Sequence, residues 1–174
     1  MKKAFIEYDF PVKEVSIESA KEKYIRKGNI QSMHTWWARR PLASSRATIY
    51  ASLVPGPKDE KEREDRSKFI TELSKWENSN NTELIEKAQR DIWDTNSGVS
   101  PKVLDPFSGG GAIPLEALRL GCKTFANDIN PIAVLLEKAI LEFPQKHGKP
   151  ISVEQYNKHR PWMQNSINDT LNLF

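Results

Sequence analysis

Apolar positions along the chain change spacing three times. From Phe5 to Val15 they read as an extended piece. A polar stretch follows, read as a helix from Ile17 to Arg26 that Gly28 closes. Pro41 suits the first position of the next helix, where a missing N–H costs nothing. Leu42, Ile49 and Leu53 then recur on one helical face until Pro55-Gly56-Pro57 stops it. Phe69, Ile70, Leu73 and Trp76 keep helical spacing, as do Leu84, Ala88 and Ile92 with Trp93 beside them. Asn78–Asn81 reads as the turn between two helices that lay one apolar stripe on the body, with their aromatics in the core. Beyond Pro101 the spacing tightens. Val103-Leu104 is a short strand, Leu115, Leu118 and Leu120 mark a helix ended by Gly121, and Cys122–Ala126 is a second strand. Asn130 and Pro131 then start a helix over Ile132–Phe143. In the tail, Ser152 and Gln155 have capping-box spacing, and Tyr156, Trp162, Met163, Ile167 and Leu171 are scattered around Pro161.

Strand, glycine-rich turn, helix, strand, helix is the opening of a doubly wound α/β sheet. Three regions result: 1–57, mostly helical; 58–98, a charged helical insertion; and 99–174, the start of the α/β domain. Composition adds that 174 residues with 28% charged and 38% hydrophobic side chains fit an ordinary globular domain. No apolar run is long enough to span a membrane, and acids interrupt the N-terminus where a signal peptide would be apolar. One cysteine and three scattered histidines offer neither an internal disulfide nor a metal cage, so no metal site is expected and a cytoplasmic setting fits. The net charge of +3 is mild, but residues 1–57 carry ten Lys/Arg against five Asp/Glu, an excess compatible with phosphate contact.

The candidate chemistry lies at Asp105-Pro106-Phe107-Ser108-Gly109-Gly110-Gly111. Without side chains at the glycines a ligand can approach the backbone, and the following helix offers free N–H groups. A phosphate loop would continue Gly-Lys-Ser/Thr, but Ala112-Ile113-Pro114 follows. A dinucleotide fingerprint would need a third, spaced glycine, and Asp105 would repel a pyrophosphate. A cationic nucleoside suits the site better. S-Adenosylmethionine carries a sulfonium, an ammonium and a carboxylate. Asp105 would meet its amino group, Asp128 at the end of the second strand would accept the ribose hydroxyls, and Asn127 would edge the adenine. Taken singly, Asp105 is also a turn former before proline and Asp128 a helix-capping acid.

Val103 to Gly111 resembles the first motif of amino-group DNA methyltransferases. The stretch from Ser19 through His34-Thr35-Trp36-Trp37-Ala38-Arg39-Arg40-Pro41-Leu42-Ala43 resembles the N-terminal domain of unknown function in large adenine-specific DNA methylases. The resemblance covers most of 9–57 and 101–150. It implies a Rossmann-like methyltransferase fold, here with its first two strands only, and S-adenosylmethionine as cofactor. Arg40, Pro41 and Arg46 would belong to an element lining the methionine end, and His34, Trp36, Trp37 and Arg39 would border the cofactor or nucleic-acid cleft. It also implies a DNA target, methylated at adenine N6. The family's Asp/Asn/Ser-Pro-Pro-aromatic loop, which directs the target amine and stacks on a flipped base, has no counterpart, because none of the eleven prolines is followed by another. The chain is therefore expected to be the N-terminal portion of a longer or split enzyme, without a catalytic residue of its own, a second chain supplying the rest. A non-catalytic subunit that binds DNA or a partner, and a fragment of an RNA methyltransferase, are the alternatives.

Overall fold

A computed structural model describes residues 3–25, 28–30 and 33–148. The tail readings at Ser152, Gln155 and beyond lie outside the described residues. Residues 1–142 form one compact unit; a second begins at Phe143, and its described element is the short helix Phe143–His147.

The first unit opens differently from the extended reading. Phe5–Glu7 is a single 3-10 turn, tied down where the Phe5 N–H donates to the Val54 carbonyl (2.9 Å). Helix α1 (Val12–Glu22) starts directly after Pro11, earlier than expected, because Pro11 sits outside the helix and its carbonyl takes the Val15 N–H. Helix α2 (Leu42–Leu53) begins after Pro41, as the proline suggested. Its apolar surface is wider than a stripe. Leu42, Ala43, Ala47, Ile49, Tyr50 and Ala51 are all buried, and α2 packs against α1, α3 (Glu60–Ser74), α4 (Thr82–Thr95) and α5 (Ala112–Arg119). A helix buried on most sides shows little periodicity, and for that reason three leucine/isoleucine positions under-describe it.

Asp59 and Asn81 cap α3 and α4 through their side chains, which accept N–H bonds from Glu62 and Leu84. Ile70, Leu73, Ala88 and Ile92 enter the core, and Phe69 packs against it. Two aromatics of this region depart from the core assignment. Trp76 is half-buried, and Trp93 is 50% exposed. Trp93 follows the buried Ile92, and one step along a helix rotates a side chain by about 100°.

Strands β1 (Lys102–Asp105) and β2 (Lys123–Ala126) pair in parallel, Lys102 opposite Lys123 and Asp105 opposite Ala126. Among the described residues these are the two strands of the sheet. Val103 points into the core shared with α2, α4 and α5, while Leu104 and Phe125, opposite each other, are exposed. Helix α5 crosses between the strands, ended by Gly121 in the left-handed conformation (φ +79°). Asn130 accepts the Ile132 N–H (2.9 Å) to start α6 (Pro131–Glu137), which runs on as a π-helical turn over Lys138–Glu142. No described helix is long and apolar enough to cross a membrane.

The expected cleft residue Arg46 is part of this core. It is fully buried: Nε donates to Glu116 (2.7 Å), Nη1 to the Leu73 carbonyl (3.0 Å) and Nη2 to Ser79 (2.9 Å). Arg46 therefore joins α2, α3, α5 and the turn before α4, and does not face a cleft.

Candidate functional site

The parallel pair brings the C-terminal ends of β1 and β2 side by side, the place where open α/β sheets leave a crevice. Three contacts close the turn after β1 onto the end of β2. The Asn127 N–H donates to the Asp105 carbonyl (3.0 Å), and the Ser108 N–H donates to the Asn127 carbonyl (3.1 Å). The Gly109 N–H donates to Asp128 Oδ2 (2.8 Å). Asp128 Oδ1 accepts the Asn130 N–H (2.8 Å). The Asn130 and Gly109 N–H groups hold the Asp128 carboxyl below the usual carboxylate range. Asp105 accepts the Phe107 N–H (3.2 Å), as an acid before a proline turn does.

Gly111 takes φ +73° to cap α5, and Gly109 takes φ +51°. The space that the glycines leave open is filled from within the chain. A Cβ on Gly109 would meet Trp36 Nε1 at 2.6 Å, and one on Gly110 would meet Arg39 Nε at 2.9 Å. The Trp36–Arg40 segment thus lies across the turn. The small residues admit a strap, where the sequence suggested direct backbone access for a ligand.

Strap and turn together enclose a cleft of about 470 Å³. Trp36, Trp37, Arg39, Arg40, Asp105, Phe107, Ser108, Gly109, Gly110 and Asp128 line it, so ten of the expected site residues meet in one place. The two acids face the same hollow. The indoles of Trp36 and Trp37 stack at 4.9 Å with planes 19° apart; Trp36 is half-buried and Trp37 is 81% exposed. The other expected residues are placed elsewhere. Gly111 is buried at the start of α5, Pro41 caps α2, and Pro106 is exposed. Asn127 is exposed, with its amide donating to the Pro106 carbonyl (3.4 Å), and His34 is exposed outside the cleft lining.

Three buried acids that the sequence reading passed over organise the site. Glu137, on α6, accepts a short hydrogen bond from the Ser108 hydroxyl and so fixes the turn to the second helix. Burial pushes its carboxyl up, while Ser108 pulls it down and the nearby Asp128 and Asp105 add to the rise. Glu22, at the end of α1, accepts the Ala43 N–H (3.0 Å) at the start of α2, satisfying a free helix-terminal donor. Glu116 holds Arg46. No local signal marks any of them, since their partners lie 29, 21 and 70 residues away.

Residues 9–78 match the model of a family described as a protein of unknown function (DUF1156), the family domain that includes the strap. Residues 87–166 match the D12 class N6 adenine-specific DNA methyltransferases. The order of the two segments decides the assignment. The two segments together match the N-terminal part of the large adenine-specific DNA methylases. Comparisons with curated proteins and with solved structures gave no match. The cleft forms where the two matched segments meet: the strap comes from the first and the Asp105–Gly111 turn from the second.

The strap contact makes a direct prediction. Gly109→Ala imposes a left-handed φ on a side-chain-bearing residue, at a cost of about 1–2 kcal/mol, and drives a methyl group into Trp36. We expect the Trp36–Trp37 stack to separate, seen as loss of the near-ultraviolet circular dichroism of the coupled indoles. An unaltered spectrum would show that the strap does not rest on the turn.

Proposed function

We propose that this cleft binds S-adenosylmethionine, as the cofactor-binding portion of an adenine-N6 DNA methyltransferase with a Rossmann-like fold. The observation that carries the reading is the convergence of Asp105 and Asp128 with Arg39 and Arg40 on one hollow. Two acids and a pair of guanidinium groups suit a ligand that carries both signs of charge. A nucleoside triphosphate would face two carboxylates in its place. The residues fit the cofactor chemically: Asp105 would receive the ammonium group, Asp128 the ribose hydroxyls, and the aromatic rings of Trp36 and Phe107 the sulfonium and base. A carboxylate has about four acceptor sites, so the two backbone bonds to Asp128 leave capacity for hydroxyl groups. When bound, the cofactor supplies an electrophilic methyl group. The protein's own residues orient it and exclude water.

Reaction with DNA needs a group that positions the adenine amine. The described cleft has no Pro-Pro-aromatic element, and the sequence contains no adjacent prolines. The reading therefore assigns donor binding to this chain and amine positioning to another segment or a second chain. It expects the 174-residue chain to retain methyl-labelled S-adenosylmethionine on equilibrium dialysis and to transfer no label to DNA. Failure to retain the label would refute donor binding, and labelled DNA would refute the division of roles. Salt-dependent DNA affinity without donor binding would favour the alternative of a non-catalytic DNA-binding subunit.

A further inference from the structure

Strap and turn build a layered aromatic platform beside the cleft. Trp36 lies with its Nε1 edge against Gly109, where a Cβ would meet it at 2.6 Å. Trp37 stacks on Trp36, ring centres 4.9 Å apart and planes 19° from parallel. That stack takes one face of Trp37, and an exposure of 81% leaves the other face open to solvent. Donor binding occupies Trp36 and Phe107 and gives Trp37 no role, although all three rings line the cleft. Arg40 lines it as well, is exposed, and forms no ion pair among the described residues. Residues 1–57, which supply both side chains, carry ten Lys/Arg against five Asp/Glu. A fixed aromatic face beside an unpaired guanidinium, in a basic segment, matches a base beside its phosphate.

Resting on the reading of this chain as part of a DNA methyltransferase, we propose that the open face of Trp37 stacks on an unpaired DNA base while Arg40 meets an adjoining phosphate. Every base has a π-face, so such stacking tolerates any sequence. A base inside a duplex has both faces covered by its neighbours, and the platform therefore fits single-stranded or locally opened DNA. The stack on Trp36 fixes the Trp37 ring before the base arrives, which lowers the ordering cost of binding. The guanidinium of Arg40 offers a rigid fork of N–H donors to phosphate oxygens. Asp105 and Asp128 disfavour phosphate within the cleft, which leaves the neutral base as the part of the strand that comes nearest the turn.

Fluorescence anisotropy with two end-labelled single strands of equal length tests this, one carrying bases and one abasic throughout. Both are titrated with the full chain, with Trp37→Ala, with Trp37→Phe and with Arg40→Ala. The wild type is expected to bind the base-bearing strand about tenfold or more tighter than the abasic one. Trp37→Ala should bring the two affinities within twofold of each other, and Trp37→Phe should keep most of the preference. Arg40→Ala should weaken both strands alike, with a shallower salt dependence. A preference that survives in Trp37→Ala would overturn the assignment. So would a wild type that binds the two strands equally, or binds neither; the bare indole would then be the seat of a protein surface. If Trp37→Ala does not fold, as judged by circular dichroism, the same ratio in Trp37→Leu, which is apolar but has no π-face, decides. Equilibrium dialysis of the same wild-type sample with labelled S-adenosylmethionine separates this role from the cofactor reading. Donor retained without a preference for bases sinks the Trp37 role alone. A preference for bases without donor retention sinks the cofactor reading and leaves Trp37 as a nucleic-acid contact.

Discussion

Arg46→Ala is expected to lower the unfolding free energy by about 3–5 kcal/mol, the usual cost of removing one partner from a buried ion pair. Both side chains of the pair are essentially without solvent contact. The guanidinium satisfies groups on three other elements, so its loss leaves the Leu73 carbonyl and the Ser79 hydroxyl without that donor and the Glu116 carboxylate with Arg119 alone at 3.5 Å. Burial pushes the Glu116 carboxyl above its ordinary value, and the neighbouring guanidinium groups of Arg46 and Arg119 pull it back. Without Arg46 one of the two opposing charges is gone and the rise becomes larger. A carboxyl whose folded pKa is raised stabilises the fold below its unfolded pKa and loses that contribution as pH rises through the folded value. The deficit of Arg46→Ala relative to wild type should therefore be smallest near pH 4 and grow towards pH 8. Adding Glu116→Gln should remove that growth. Urea unfolding at several pH values reads both effects; a deficit independent of pH would show that Glu116 remains satisfied without its partner.

Asp128→Ala is the second large effect. The residue is asked to accept ribose hydroxyls while tying the Gly109 turn to the start of α6. Hydrogen bonds to a charged acceptor contribute about 1.5–3 kcal/mol each, so loss of two such bonds to ligand weakens S-adenosylmethionine binding by roughly a hundredfold or more. Asp128→Asn, with one acceptor oxygen in place of two, should lie between. The pH dependence has a defined sign. The Asn130 and Gly109 N–H groups depress the Asp128 pKa, so its carboxylate is present above the ordinary value of 3.8 and is lost only as pH falls further, through the depressed one. Binding attributable to Asp128 should thus survive acidification to pH 4. Loss of that binding between pH 6 and pH 5 would assign it to another group.

Much of the α/β half was legible because its punctuation is local. Gly121 ends α5, and Asn130-Pro131 starts α6, with each signal within a few residues of the boundary it sets. The acids at the ends of β1 and β2 follow from strand length and parallel pairing alone. The N-terminal third was harder. Phe5–Val15 lacks helical spacing of apolar residues, yet Pro11 starts a helix there and the Val54 carbonyl fixes the turn before it. Arg46 reads as a surface or cleft charge because a long cationic side chain is seldom buried. Only the fold reveals that Glu116, seventy residues on, meets it. The glycine run shows the same limit. Its small size was plain from the residues, but that Trp36 and Arg39 use the space depends on contacts 73 and 71 residues apart.

A cleft walled by two acids and two arginines is suited to a cationic nucleoside that also bears a carboxylate. Calorimetric titration of the 174-residue chain with S-adenosylmethionine and, in parallel, with ATP tests it most directly. Saturable binding of S-adenosylmethionine at one per chain, with no heat from ATP, is the expected result. Binding of ATP, or a flat titration with S-adenosylmethionine, would contradict it.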